Sequence, residues 1–170
     1  DITPHSVNEY AIKHKPVSIH QTHVENITKE KAPSLKRVLD GFHILEAAGA
    51  QLPTDVRQVV FVDKGLVNVV EEDLRHFDKL VLLDVSENHL EFIMLASIPR
   101  LKALNMACNQ IKVIEKSYGF DRLQILDLSY NSLTLRSVQN LDFLPELKEL
   151  DLCGNNLKGL PMEMYRFRTL

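Results

Sequence analysis

The chain has 170 residues, of which 25% are charged and 45% hydrophobic, with a formal net charge of −3 and a pI near 6.2. That length suits one domain, with room for an extension, and the charge balance lacks the basic footprint of a nucleic-acid binder. No apolar run approaches the roughly 18 residues needed to cross a bilayer, and the N-terminus shows no basic region followed by an apolar one, so neither a membrane role nor a secretory signal is read.

Residues 1–33 are polar, broken by Pro4, Pro16 and Pro33, and carry no sustained hydrophobic period. That composition predicts an extended polar arm. His20 and His23 have the spacing of a metal pair, but no cysteine or second ligand cluster accompanies them. Solvated histidines are the reading, and no metal or cofactor is expected. The sequon Asn26-Ile27-Thr28 is read as coincidental.

Residues 34–55 are expected to form an N-terminal capping helix and a linker. Ser34 is the predicted N-cap, the helix runs to about Ala48, and Gly49 closes it. Leu35, Val38, Leu39, Phe42 and Leu45 recur at helical spacing and should share one buried face. Such a helix would cover the open edge of whatever repeat follows; docking to a partner is the other use open to it.

From residue 56 onward a single pattern recurs, L-x-x-L-x-L-x-x-N-x-L. The first complete copy is LVLLDVSENHL, and the copies start at residues 80, 101, 123 and 147, giving spacings of 21, 22 and 24. This is the leucine-rich repeat signature and its period. Val56–Leu66 is a degenerate copy in register with the others, with Val56, Val59, Phe61 and Leu66 in the apolar places and Lys64 where the asparagine belongs. Its string Arg57-x-Val59-x-Phe61 resembles a phosphatase-docking peptide, but Val59 and Phe61 should face the core. Residues 56–170 therefore read as an α/β leucine-rich repeat solenoid. A curved parallel sheet lines the concave side, with short helices and 3-10 turns on the convex side. Glu71, Glu72 and Asp73 form the acidic first turn of one such helix, and Leu135, Val138, Leu141 and Leu144 the inward face of the longest convex segment. The chain stops at Leu170, where the next coil's first leucine belongs, and starts with Asp rather than Met, which predicts a segment of a longer protein.

Asn88, Asn109, Asn131 and Asn155 form a ladder where each coil turns away from its strand. An amide there can pair buried backbone groups that the turning chain strands, so the ladder is structural. Binding is expected on the concave face instead. One strand column runs Val60, Asp84, Asn105, Asp127, Asp151; beyond it lie Asp63, Glu87, Cys108, Tyr130 and Gly154. Asp84, Glu87, Asn105, Asp127, Tyr130 and Asp151 are the candidate protein-binding residues. Their acids favour a basic or mixed-charge protein segment, and Tyr130 is the natural anchor. Aspartate is also the habitual residue at that repeat position, so a structural role for it stays open.

Catalysis has little support: the chain carries no Gly-rich phosphate loop, nucleophile elbow or metalloprotease helix. Cys108 and Cys153 lie two coils apart, roughly 10 Å at sheet spacing, beyond the ~7 Å Cα limit for a disulfide. The sparse cysteines point to a reducing, intracellular compartment, taken as the cytoplasm, with nucleus or cilium as the alternatives.

Specific segments between the repeats carry a further likeness. VEEDLRHF (Val70 to Phe77), DVSENHL (Asp84 to Leu90), ILDLSYNSLTLRSVQNLDFLPELKEL (Ile125 to Leu150) and LCGNNLKGLP (Leu152 to Pro161) resemble the X-ray radiation resistance-associated protein family. The resemblance implies longer intracellular proteins with no catalytic residues to carry over. The expected function is a non-catalytic interaction scaffold that binds a protein segment. The alternatives are a structural component of a large assembly such as a ciliary axoneme, or a regulatory subunit of an enzyme such as a phosphatase.

Overall fold

The computed structural model describes residues 37–116 and 119–159. The arm over residues 1–33, with His20, His23 and Asn26, lies outside the described residues, as do Ser34, Leu35 and the end of the array from residue 160.

Five short strands stack in parallel, each one coil further along the chain: β2 (Gln58–Val60), β4 (Leu82–Asp84), β5 (Ala103–Asn105), β6 (Ile125–Asp127) and β7 (Glu149–Asp151). The register joins equivalent repeat positions, Val59 with Leu83, Leu83 with Leu104, Leu104 with Leu126 and Leu126 with Leu150. Alternation along each strand sends these side chains inward, while their neighbours face the concave side. The inward set joins Val85, Met106, Leu128 and the convex residues Phe77, Phe92 and Ile98 in one continuous buried cluster. The degenerate copy takes its place at the sheet edge, with Val59 and Phe61 both buried, so they are not available as a free docking peptide.

The convex side is made of short pieces: α2 (Glu71–Leu74), with its acidic first turn, a 3-10 turn at Phe92–Leu95, α3 (Leu135–Val138) and a 3-10 turn at Gln139–Phe143. Val138, Leu141 and Leu144 are buried as their spacing predicts, whereas Leu135, expected on the same face, is half-buried.

The N-terminal cap differs from expectation. Its helix, α1, is Gly41–Ala48, not a run from Ser34. Val38–Leu39 form a strand, β1, paired in parallel with β3 (Asn68–Val69), so two of the residues assigned to the helical face lie in a strand. Asp40 is the true N-cap: its side chain accepts from the His43 N–H at 2.8 Å, and Gly41 N–H donates to Asp73 at 2.9 Å. Ile44 is the residue that α1 buries, whereas Phe42 is 71% exposed. Gly49 ends the helix in the left-handed conformation, φ 62°, as expected. Helical spacing continued across Leu39 by coincidence, and pairing with β3 overrode it.

The asparagine ladder has a direction. Asn131 Oδ1 accepts from the N–H groups of Asn109 and Ile111 in the preceding coil, at 3.0 and 2.9 Å. Its Nδ2 lies within bonding distance of the carbonyls of Met106, Leu128 and Ser129. Asn88 does the same for Lys64 N–H, Leu66 N–H and Phe61 C=O. Each amide therefore serves the coil before its own as well as its own turn. The edge coil follows no other strand in the sheet, so an asparagine at position 64 would have only its own turn to pair. That is why Lys64 is tolerated.

Candidate protein-interaction face

The predicted binding residues fall on the concave face and its rim, but they are not equivalent. Asp84 is 8% exposed. One carboxylate oxygen accepts from Ser86 N–H and Oγ, at 2.9 and 2.7 Å, and the other from Asn105 Nδ2 at 3.1 Å. Asp84 is thus committed to its own fold, contrary to its expected place among the solvent-facing residues. The same first bond recurs down the column: Asn105 accepts from Ala107 N–H, Asp127 from Ser129 N–H and Asp151 from Cys153 N–H. A short side-chain oxygen two residues ahead of a free amide closes an Asx turn, and here it stops each strand. This is the physical reason for the aspartate habit. Asp127, half-buried, and Asp151, exposed, use one oxygen each in this way.

The rim column has a different constraint. Asp63, Glu87, Cys108 and Tyr130 all have positive φ, between 52° and 57°, and Gly154 completes the set at 69°. The chain must turn left-handed here to leave the sheet, and L-residues resist it by roughly 1–2 kcal/mol each. Glu87 is exposed and no hydrogen bond or ion pair is seen on its side chain. Glu87→Gly is expected to raise stability by roughly 0.5–1 kcal/mol, the strain relief less the added unfolded-chain entropy. Urea titration followed by far-UV circular dichroism reads this directly; a lower midpoint would mean the left-handed turn is not strained.

Tyr130 is 64% exposed. A Cβ built on Gly154 would come within 2.6 Å of its ring carbon Cδ1. The glycine of the next coil therefore makes room for the ring to lie against it, which restricts the ring's freedom.

One concave-side column is not announced by the repeat pattern. Leu82, Ala103 and Ile125, one per coil, form a small buried cluster of their own on the concave side, separate from the main core. Gln58 and Glu149 continue the column at its two ends. The signal was an apolar residue just before the inward leucine in three successive coils. Elsewhere, a 530 Å³ cleft lined by His89, Glu91, Phe92, Gln110, Lys112 and Val113 lies between the turns that follow Asn88 and Asn109. Among the described residues no group of three or more His, Cys, Asp or Glu could hold a metal ion, and no helix is long and apolar enough to cross a membrane.

The family described as leucine rich repeat matches residues 99–157. X-ray radiation resistance-associated protein 1 of Mus musculus is 36% identical over 135 residues, covering 79% of this chain and 17% of the mouse protein. Leucine-rich repeat serine/threonine-protein kinase 1 of Caenorhabditis elegans is 38% identical over 84 residues, 46% of this chain and 4% of the kinase. Among solved structures, internalin C2 of Listeria monocytogenes superposes with a TM-score of 0.53 at 16% identity, covering 76% of this chain and 70% of the internalin. That likeness shows the fold alone. The chain spans less than a fifth of either relative's length.

Proposed function

For a chain that is a leucine-rich repeat array, similar over 79% of its length to mouse X-ray radiation resistance-associated protein 1, we propose a non-catalytic scaffold that grips a protein segment on the concave face. The observation that carries this reading is Tyr130, a large exposed aromatic held at φ 52° and seated against Gly154, with Asp127 at the end of the strand that precedes it and Asp151 at the end of the next. A pre-positioned aromatic loses little freedom on binding, and tyrosine is enriched in interface hot spots. Glu87 and Asn105 extend the surface along the preceding coils, while Asp84 supports it from within. The acids suit a basic or mixed-charge partner segment. Cys108 and Cys153, exposed thiols on coils two apart, suit a reducing intracellular compartment.

The test is a quantitative pull-down from cell extract, with cross-linking and mass spectrometry, comparing three proteins. They are the wild type, the variant Asp127→Lys, Tyr130→Ala, Asp151→Lys, and a convex control carrying Glu71→Lys and Glu72→Lys. Asp84 is left alone because its replacement would disturb the sheet. Loss of a defined partner set in the concave variant only is the expected result. An unchanged set would move the function off this face.

A further inference from the structure

The concave face is not evenly acidic; its charges are sorted across the strands. At the strand starts the exposed or half-buried side chains include Arg57, Lys102 and Lys148, with neutral Val81 and Gln124 between them. At the strand ends and the rim they are Asp63, Glu87, Asp127 and Asp151, accompanied by Tyr130. The buried column Leu82, Ala103, Ile125 runs between the two sets. At its β7 end, Glu149 holds one carboxylate oxygen, Oε2, out of solvent with no hydrogen-bond partner.

We propose that the segment bound here is an amphipathic α-helix lying along the stack of coils, with a cationic flank over the strand ends and an anionic flank over the strand starts. This rests on the concave-face reading above and names its partner class. Charge complementarity sets the two flanks. The dimensions select a helix. Three residues of strand separate Lys102 from Asn105, about 10 Å at strand rise, close to the 10–12 Å width of a helix with its side chains. Coils repeat every ~4.8 Å along the stack, near the 5–6 Å between helical neighbours three or four residues apart. An extended segment puts same-face side chains ~6.6 Å apart, out of step with the coils. Five strands span about 19 Å, the length of roughly 13 helical residues. Because the two flanks differ, only one direction of the helix along the groove satisfies both.

The probe is a designed 14-residue helical peptide with an apolar face, a lysine flank and a glutamate flank. A control peptide of identical composition has its charges shuffled between the flanks. Titration calorimetry on the whole chain is expected to show the sorted peptide binding about tenfold tighter than the shuffled one, a preference that fades with added salt. A spin label on the peptide N-terminus should broaden amide signals at one end of the array only. The variant Lys102→Glu, Lys148→Glu, Asp127→Lys, Asp151→Lys keeps the net charge and inverts the sorting, so it should move that broadening to the opposite end. Equal affinities for the two peptides, no binding, or an unchanged direction in the inverted variant would each overturn the helix proposal. Equal affinities with amide shifts still confined to β4–β7 would leave the concave-face reading standing, whereas shifts confined to the convex side would sink both. The wild-type comparison alone decides the affinity question if the inverted variant does not fold.

Discussion

Asn131→Leu should cost about 2–6 kcal/mol and remove cooperative unfolding of the central coils. The amide sits in the middle of the array, buried, accepting from Asn109 and Ile111 N–H and placed against the carbonyls of Met106, Leu128 and Ser129. Leucine has the same branching and number of side-chain heavy atoms but bulkier methyl groups, so the site stays filled while the partners of both amide N–H groups are withdrawn. A buried polar group left unpaired costs about 1–3 kcal/mol, and at least two N–H donors have no substitute within reach of the turn. The loss should not stay local, because stability in a solenoid is carried by neighbour interfaces. Guanidinium denaturation followed by circular dichroism measures the cost, and hydrogen exchange locates it. Protection should fall first at the amides of Asn109 and Ile111. A cost under about 1 kcal/mol would show that water replaces the amide, and the ladder would then be dispensable. Asn155, at the described end of the array, offers the contrast: it is half-buried, and its amide accepts from Leu133 N–H. Its replacement should cost less because water can reach the turn.

Phe92→Ala is the second large effect, about 3–5 kcal/mol for the lost burial and cavity. Phe92 stacks on Phe120 with ring centroids 4.4 Å apart and meets Phe143 edge-on at 6.5 Å. These rings come from three successive convex segments, so the cluster ties together coils that the sheet joins only on the other side. Phe92 and Phe120 are almost fully buried. The methyl group of alanine cannot fill the space between them, and the rings from neighbouring coils cannot close the gap without moving their own backbones. Phe92→Leu keeps most of the volume and should cost roughly 1–2 kcal/mol. Thermal and chemical unfolding of the two variants separate size from shape. Equal, small costs would mean the convex side collapses freely and the solenoid is held by its sheet alone.

Between these two variants lies the division between what was legible in the residues and what was not. The asparagines could be assigned to turns, and to backbone pairing, from their place nine residues into each repeat. The aromatic cluster could not: Phe92, Phe120 and Phe143 sit in connecting segments of unequal length, where no shared period sets their relation. The repeat pattern marks Asp127 and Asp151 as concave-face acids but does not distinguish Asp84, in the same repeat position, from them. Its burial depends on Asn105 of the next coil reaching back to it and on Ser86 folding over it. Likewise the left-handed column at Asp63, Glu87, Cys108, Tyr130 and Gly154 has a glycine only in its last coil, too little to announce the turn in the other four.

The sequence alone determined the repeat register, the inward leucines, the asparagine turns and the concave location of the candidate acids. Each of these follows from a pattern that recurs every 21 to 24 residues, so one coil read correctly explains the rest. Tertiary structure alone decided that α1 begins at Gly41, that Asp84 belongs to the fold, and that Leu82, Ala103 and Ile125 form a closed column. In each case the deciding contact comes from a different coil or from the pairing of β1 with β3. A residue's own neighbours in sequence are silent about side chains stacked roughly 5 Å away across a sheet.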